Sequence, residues 1–449
     1  MWRNKQSHAR VGRLLLAGTL LFLTACSAFT TQRLSAEQAF SATPILGILN
    51  VDSSLRLGKI SPYIFGTNYG PWNVVPLDLM PLAQEAGFSF LRFPGGDWGD
   101  ENDLTVLQID NFIGLARNLG AEPSISVRLP GGSPEAAADL VRYINIEKGY
   151  DVRYWSIGNE PQYYDGYITA QFNQEWREIA LAMQEVDPDI LLIGPEITQY
   201  LGDPTMDPRD SEGNLWMDDF LKANGDLVDI VSIHRYPFPT SLNSGPAQIE
   251  DLRPNVQEWD RIIPKLRALI IQDTGQDLPV AVTEFNSHWN SMTGGEATPD
   301  SHFNAIWLSE VLAKMVRQQV EIVAQFAIQS SSDNGGWGIF SRVDPRPSYY
   351  VYRMFKLLGN QLVYSESGIP FVSITSALRE DGKLTLLIVN LQSEDVQVPL
   401  TWKGKADVSA EYWLFDEDNS AKQMDVLQLH NSGVISLPAE SISVLIFSN

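Results

Sequence analysis

The sequence predicts an α/β fold, a (β/α)8 TIM barrel followed by a C-terminal antiparallel β-sandwich domain. Eight short apolar segments alternate with amphipathic stretches along the 449-residue chain, and nearly continuous apolar strands of this kind indicate a parallel sheet covered by helices. Eight such units in roughly 300 residues match the barrel, whereas a doubly wound sheet would carry a glycine-rich phosphate turn after its first strand. After residue 360 apolar and polar residues alternate, which predicts antiparallel strands.

The eight predicted barrel strands are short, and several are rich in β-branched residues. They occupy residues 63–70, 88–96, 123–132, 152–161, 189–197, 228–237, 279–286 and 321–330. Amphipathic stretches between them, such as residues 109–120 and 172–186, predict the covering helices. Gly87 and Gly120 stand where helices are expected to end before the next strand. The barrel is therefore predicted over residues 63–360.

The two flanks of the barrel predict a single second domain. Residues 361–449 alternate in polarity and carry turn signals such as Asp381-Gly382, so we expect a β-sandwich there. Residues 48–62 read as a pair of strands that has no partner nearby in sequence. We expect these N-terminal strands to join the sandwich and so to link the two ends of the folded chain.

The N-terminus predicts export and lipidation. Basic residues precede the apolar run 14–23, which is too short to span a bilayer comfortably and is typical of a signal peptide. Leu23-Thr24-Ala25-Cys26 resembles the lipobox of bacterial lipoproteins, and Cys26 is the only cysteine in the chain. That resemblance implies that residues 1–25 are removed and that lipidated Cys26 anchors the protein to a membrane, with residues 26–47 as a tether. A secretory signal with a chance cysteine and an uncleaved anchor are the alternatives.

Composition narrows the possible partners. Hydrophobic residues make up 44% of the chain and charged residues 19%, which is typical of a folded globular protein. The net charge of −23 argues against nucleic acid as a partner, because phosphates would be repelled. It is compatible with a neutral substrate. The oligomeric state is not predicted by these features.

Two glutamates carry the predicted chemistry. Barrel enzymes place their reacting groups at the C-terminal ends of the strands, and Glu160 and Glu284 end the fourth and seventh predicted strands, on opposite sides of the mouth. Hydrolysis of an acetal needs one protonated carboxyl group to release the alkoxide and one ionised carboxylate to attack the anomeric carbon. The pair therefore predicts a glycosidase that acts on a carbohydrate, the alternative being two ordinary surface acids.

Other strand ends and loops supply candidate substrate-binding residues. At strand ends these are Arg92, Asn159, His234 and Tyr236, and in the loops they are Trp72, Trp98, Trp289 and Trp337. Aromatic faces stack on the C–H faces of sugar rings, although a structural role is the alternative for each tryptophan, as it is for His234 and Arg92. Glu196 at the end of the fifth strand is interpreted as a structural or substrate-contacting acid, because one catalytic pair is sufficient.

No metal or cofactor is predicted for this chemistry. The five histidines show no ligand spacing such as His-Glu-x-x-His. Two acidic loops, residues 207–214 and 416–420, do not fit the EF-hand spacing. A structural calcium ion in one of them stays open.

The motifs around these residues resemble a known group of enzymes. Three of them, GNEP at strand 4, HRY at strand 6 and VTEFN at strand 7, resemble the clan A retaining glycoside hydrolases. Three others, ISPYIFGTNYG, LRFPGGDW and PRPSYYVYRMF, are similar to the arabinofuranosidase, β-xylosidase and endoglucanase families that carry an appended β-sandwich. A non-catalytic glycan-binding surface lipoprotein is the alternative function.

The resemblance implies a role for each matched residue. It makes Glu160 the general acid/base and Glu284 the nucleophile of a double displacement. It implies that Asn159 contacts the hydroxyl next to the anomeric carbon. It also implies that Tyr236 and Arg92 hold the nucleophile and that His234 lies near the acid. After LRFPGG the arabinofuranosidases usually continue with Asn, whereas Asp97-Trp98 follows here, so furanoside specificity is left open.

Overall fold

The structure is a computed structural model that describes residues 44–238, 245–290, 292, 294–330 and 336–448. The expected signal peptide, the lipidation site Cys26 and most of the expected tether lie outside the described residues. Among the helices formed by the described residues, none combines the length and the hydropathy that a membrane-crossing segment needs.

Eight parallel strands close into a barrel in sequence order, as the sequence predicts. After a first strand β1 (Leu49–Lys59), the barrel strands are β2 (Gly66–Asn68), β3 (Phe90–Phe93), β4 (Glu122–Val127), β5 (Tyr154–Ile157), β6 (Leu191–Thr198), β7 (Ile230–Arg235), β8 (Val280–Phe285) and β9 (Ile322–Gln325). The first of them is shorter than expected because residues Pro62–Phe65 form a 3-10 turn, in which the side chain of Ser61 accepts from the backbone N–H of Tyr63.

The helices lie between the barrel strands and cover them. They are α1 (Met80–Ala86), α2 (Trp98–Glu101), α3 (Val106–Leu119), α4 (Pro134–Val141), α5 (Thr169–Val186), α6 (Trp216–Asn224), α7 (Ile249–Asn255), α8 (Trp259–Thr274), α9 (His302–Arg317) and α10 (Pro347–Phe355). The ends of α3 follow its sequence, since Thr105 and Gln108 form a capping box and Gly120 adopts φ 70° after the last turn. A π-helical turn, Arg142–Glu147, extends α4.

The remaining strands form a second sheet. They are β10 (Gln361–Ser367), β11 (Val372–Leu378), β12 (Leu384–Asn390), β13 (Val396–Trp402), β14 (Asp407–Phe415), β15 (Lys422–Gln423), β16 (Leu427–His430), β17 (Gly433–Leu437) and β18 (Ser441–Phe447). Strand β1 lies between β10 and β13, antiparallel to the first and parallel to the second, so the sheet is mixed at this one place. The segment expected to form two N-terminal strands is one strand with an irregular register between Asp52 and Arg56.

Buried apolar side chains close one end of the barrel and leave the other end open. The N-terminal ends of the strands are closed by an apolar cluster that includes Phe90, Tyr154, Ile193, Ile230 and Ile322. The helices and the adjoining face of the sandwich share one large core, and the interior of the sandwich forms another. With one end filled by apolar side chains and the outside covered by helices, the barrel is open at the C-terminal ends of its strands, where a cleft lies.

Candidate active site

A cleft of about 830 Å³ opens at the C-terminal ends of the barrel strands. It is lined by Gly96, Asp97, Asn159, Glu160, Tyr163, Thr198, Gln199, Leu201, Met206, Arg235, Tyr236, Pro237, Glu284, Trp289, Phe326 and Trp337. The two predicted catalytic glutamates share this cleft. A concave site with a few convergent polar groups and aromatic walls is the usual form of a small-molecule or sugar site.

Glu284 lies on the floor of the cleft and is held by three donors. One carboxylate oxygen accepts from the guanidinium of Arg92 at 2.5 Å and from the backbone N–H of Gly96 at 2.6 Å. The other accepts from the hydroxyl of Tyr236 at 2.9 Å. Together these three hydrogen bonds fix the orientation of the carboxyl group.

Glu160 is held far more loosely. Its side chain is 15% exposed, and its one ion-pair contact is with Nδ1 of His234 at 3.0 Å. The residue stands directly after β5 in a left-handed turn with φ 45°, where its backbone N–H donates to the carbonyl of Glu196. The turn carries the carboxyl group into the cleft, where solvent and a ligand can reach it.

A buried network of charges lies beneath the two glutamates. The ring of His234 contacts Glu160 through Nδ1 and Glu196 through Nε2, the latter at 2.8 Å. Glu196 is completely buried, lies 3.4 Å from the guanidinium of Arg92 and accepts a hydrogen bond from the hydroxyl of Thr283. Arg92 therefore joins Glu196 to Glu284, and His234 joins Glu196 to Glu160.

The network shifts the pKa values of its members so that the charged form of each is favoured. Burial opposes the charge on Glu196, but Arg92 and His234 outweigh it and lower the pKa of Glu196 to about 2. Burial also opposes the charge on His234 and by itself would lower the pKa of the imidazole. The carboxylates of Glu284, Glu160 and Glu196 outweigh it and raise the pKa of His234 to about 9. Burial also opposes the charge on Arg92, but the carboxylates of Glu196 and Glu284 outweigh it and raise the pKa of the guanidinium. The site is a set of fixed charges in a water-poor interior, where their interactions are strong.

Irregular strand pairing turns these side chains inward. The register of β6 against β7 shifts between Gly194 and Ile197, and the register of β8 against β9 shifts between Val282 and Phe285. Glu196 and Glu284 lie within these shifts. A bulge of this kind redirects one side chain without ending the strand, which is how acids from two strands with apolar neighbours reach the barrel mouth.

Asn159 connects the charged network to a second acidic group. Its side-chain oxygen accepts from Arg92 at 2.9 Å, and its side-chain nitrogen donates to Asp97 at 2.8 Å. Desolvation and the nearby charge of Glu284 raise the pKa of Asp97, against the lowering effect of the Asn159 hydrogen bond. All four predicted polar partners, Arg92, Asn159, His234 and Tyr236, thus converge on the glutamate pair.

The predicted tryptophans divide into two groups. Trp289 and Trp337 line the cleft together with Phe326, whose ring lies 5.4 Å from that of Trp337. Trp72 packs near Phe326 at 6.2 Å, and Trp98 begins the short helix α2. Neither Trp72 nor Trp98 is among the described residues that line the cleft, and sugar binding by them stays a prediction.

Sequence reasoning missed several members of the site. Asn68 at the end of β2 accepts from Arg92 at 3.2 Å, the backbone N–H of Gly96 binds Glu284, and Thr283 binds Glu196. Asn68 ends the first strand in GTN, where the rule that strand ends carry function could have identified it. A backbone N–H and a threonine among apolar strand residues give no comparable signal.

One trio of side chains has the spacing of metal ligands. A nitrogen of His234 and one oxygen each of Glu160 and Glu284 lie within 4.8 Å of one another. A histidine must be neutral to bind a metal, whereas His234 is surrounded by carboxylates that hold it as a cation. The donor chemistry therefore fits a proton-sharing network better than a metal centre.

Comparison with known proteins gives relatives of low sequence identity. No protein-family model matches the chain. A β-xylosidase of Geobacillus stearothermophilus is 24% identical over 264 residues, which span 54% of this chain and 45% of the relative, so the alignment covers less than half of that protein.

Two solved structures match nearly the whole fold. An alpha-L-arabinofuranosidase from Thermotoga maritima, solved as an arabinose complex, has a TM-score of 0.73 and 18% identity, covering 89% of this chain and 99% of its own. CelM2, a bifunctional glucanase-xylanase from a metagenome library, has a TM-score of 0.69 and 16% identity, covering 90% and 99%. In fold, and at low identity in sequence, the chain thus resembles the clan A glycoside hydrolases with an appended β-sandwich that its motifs indicate.

Proposed function

We propose that this protein is a retaining glycoside hydrolase that cleaves O-glycosidic bonds of a neutral polysaccharide or oligosaccharide by double displacement. The proposal depends above all on the closeness of two carboxyl groups in different surroundings, with one oxygen of Glu160 within 4.8 Å of one oxygen of Glu284. Retaining glycosidases hold their carboxyl groups about 5–5.5 Å apart, whereas inverting ones need about 6.5–9.5 Å to admit a water molecule between acid and base.

Glu284 is the proposed nucleophile. The donors Arg92, Gly96 N–H and Tyr236 hold its carboxyl group in the cleft. It attacks the anomeric carbon as the bond to the leaving oxygen breaks, and a covalent glycosyl-enzyme forms. Water then attacks the same carbon, which releases the sugar with its original anomeric configuration and returns the carboxylate.

Glu160 is the proposed general acid and then general base. It donates a proton to the leaving oxygen in the first step and accepts one from the attacking water in the second. His234 and Glu160 share one proton across the contact between Nδ1 and the carboxyl group. The proton passes from Nδ1 to Glu160 before it is donated to the leaving oxygen, and the proton taken from the attacking water in the second step restores it. Glu196 keeps a proton on Nε2 throughout.

The proposed substrate is a neutral glycan. Asp97, Glu160 and Glu284 line the cleft, so the carboxylate of a uronic acid would meet like charge there. Trp289, Trp337 and Tyr163 offer aromatic faces to sugar rings. The relatives act, by their names, on xylosides, on arabinofuranosides or on glucan and xylan, and we propose a glycan of xylose, arabinose or glucose for this chain.

The decisive experiment follows the anomeric configuration of the first product. The wild-type protein is incubated with a panel of aryl xylosides, arabinosides and glucosides and with xylan, arabinan and β-glucan, and products are followed by proton NMR. We expect a first product with the configuration of the substrate, and no product from Glu284→Ala. A first product of inverted configuration contradicts the mechanism. Sugar binding without hydrolysis by either protein would favour the glycan-binding alternative.

We further propose that the protein is exported and anchored through lipid on Cys26, as the lipobox resemblance implies. The test compares full-length wild type with Cys26→Ala in a bacterial host. The expected result is wild type in the membrane fraction and the variant in the soluble exported fraction. Equal membrane binding of both proteins contradicts lipid anchoring at Cys26 and leaves the glycosidase proposal unaffected.

A further inference from the structure

The buried carboxylate of Asp100 has no part in the mechanism above. Asp100 belongs to the short helix α2 in the loop after β3 and is 7% exposed. It accepts the backbone N–H of Leu129 at 3.0 Å, the backbone N–H of Asn159 at 2.7 Å, and the hydroxyl of Tyr164. Leu129 follows β4, and Asn159 and Tyr164 follow β5, so one carboxylate joins three consecutive loops at the rim of the cleft.

The turn that Asp100 holds is the one that carries Glu160. Gly158 has φ 76° and Glu160 has φ 45°, and a left-handed conformation at a residue other than glycine is unfavourable on its own. The backbone N–H of Glu160 is bound by the carbonyl of Glu196, and the backbone N–H of Asn159 is bound by Asp100. These two hydrogen bonds secure the turn from its two sides.

The ionised form of Asp100 accepts all three of these hydrogen bonds. The two backbone N–H groups cannot accept, so a proton on the carboxyl group could be donated only to the hydroxyl of Tyr164, which would then no longer donate to Asp100. Burial, together with the smaller effect of the charge of Asp97 in the same loop, raises the pKa of Asp100 to about 6 against the lowering effect of its donors. The other titratable groups around Asp100 are Tyr164, to which it is bonded, Tyr167, and Glu101 and Glu160 across a small side pocket.

We propose that Asp100 is a positioning residue for acid–base catalysis, whose carboxylate fixes the turn Gly158-Asn159-Glu160 and thereby sets where the carboxyl group of Glu160 meets the leaving oxygen. This inference rests on the proposed function, because it needs Glu160 to act as the acid. It predicts that loss of the Asp100 carboxylate impairs proton donation more than it impairs attack by Glu284, because Glu284 lies on β8 and its three donors Arg92, Gly96 and Tyr236 lie outside the turn Gly158-Asn159-Glu160.

The test uses leaving groups that differ in their need for a proton. Asp100→Asn has the same shape, but one oxygen that accepts a hydrogen bond is replaced by an NH2 group. That group faces a donor, so the hydrogen bond that Asp100 accepted there is lost. We expect kcat/KM to fall roughly 30- to 100-fold for a phenyl glycoside and less than about threefold for the activated 2,4-dinitrophenyl glycoside, since small misplacements cost about this much. Glu101→Gln is the matched control: it removes an exposed acid next to Asp100, and both rates should stay within about twofold of wild type.

Tyr164→Phe keeps the carboxylate and removes one donor, so it serves if Asp100→Asn does not fold. We expect the same selective loss, roughly 3- to 10-fold for the phenyl glycoside, because the hydroxyl of Tyr164 both donates to Asp100 and accepts from the backbone N–H of Asn159. Equal losses for both leaving groups, or no loss for either, would overturn the positioning role while wild type remains active. If wild type hydrolyses neither glycoside, the glycosidase assignment itself fails, and the positioning role fails with it.

Discussion

The two carboxyl groups of the cleft have opposite surroundings. Glu284 is nearly buried and receives three hydrogen bonds, one of them from a guanidinium. Glu160 is partly exposed, and among the described residues its ion-pair contact is with His234. Glu284 is fixed in one orientation by these donors. Glu160 can gain and lose a proton beside a histidine that adapts to either state. Two glutamates can therefore have different chemical roles, because the hydrogen-bond donors around their carboxyl groups differ.

The largest expected effect comes from removing each carboxyl group in turn. Glu284→Ala should lower kcat/KM by at least about 10⁴-fold for every substrate, because no other group can form the covalent intermediate. Glu160→Ala should retain much of the first step for an activated aryl glycoside, which needs no proton. Azide should restore turnover to both, and NMR should identify an inverted azido-sugar from the first and a retained one from the second. The same azide product from both variants would mean that the two roles are not divided as proposed.

Removal of the cation under Glu284 should be the largest stability effect. Arg92→Met leaves Glu196 and Glu284 buried without their shared partner, and breaking a buried ion pair costs about 3–5 kcal/mol. Urea denaturation measures the loss. Arg128→Met is the control, because its ion pair with Asp103 lies at the surface and should contribute less than about 1 kcal/mol. Equal urea midpoints of unfolding for Arg92→Met and Arg128→Met would contradict the prediction that Arg92 stabilises the buried network.

The network should also make stability depend on pH. The pKa of His234 is raised from 6.5 to about 9, so its stabilisation is complete below pH 6.5 and is lost as the pH rises through 9. The pKa of Glu196 is lowered from 4.5 to about 2, so its stabilisation is present above pH 4.5 and is lost as the pH falls through 2. The alkaline loss should reach about 3 kcal/mol at most.

Thermal unfolding across pH 6–10 checks this, with His234→Asn as the comparison. The difference in free energy of unfolding between wild type and variant should shrink as the pH rises, because the variant has no imidazole to deprotonate. A constant difference over this range would mean that His234 is already neutral at pH 7.

The architecture and the glutamate pair followed from the sequence for physical reasons. Parallel strands buried on both faces must be apolar throughout, so their repetition identifies the barrel, and strand ends must carry the polar groups. Arg92, Asn159, His234 and Tyr236 all stand at such ends. The contacts among these side chains could not be predicted from the sequence. They depend on register shifts at Glu196 and Glu284, which are set by the pairing with neighbouring strands. Asp100 was missed because its partners include two backbone N–H groups, which leave no mark in sequence.

The smallest expected effects concern the aromatic walls of the cleft. We expect the wall beside Glu160 and the wall beside Glu284 to contact different parts of the substrate. Tyr163 follows Glu160, is 66% exposed, and borders both the cleft and the side pocket. Trp337 packs on Phe326, whose ring lies 6.5 Å from that of Tyr236 on the side of Glu284. Because Glu160 protonates the leaving oxygen, Tyr163 should face the leaving group.

Tyr163→Ala should therefore raise KM about 5- to 10-fold for an oligosaccharide and leave a small aryl glycoside unaffected, as the loss of one aromatic contact of about 1 kcal/mol implies. Trp337→Ala should raise KM for oligosaccharides that extend toward Glu284, whatever their leaving group. Steady-state kinetics on a series of oligosaccharides of increasing length measures both. A Tyr163→Ala variant that affects aryl and oligosaccharide substrates equally would mean that the leaving group takes another path. The difference between Glu160 and Glu284 would then concern only the groups that contact their carboxyl groups, and the aromatic walls on the two sides of the cleft would not have separate roles.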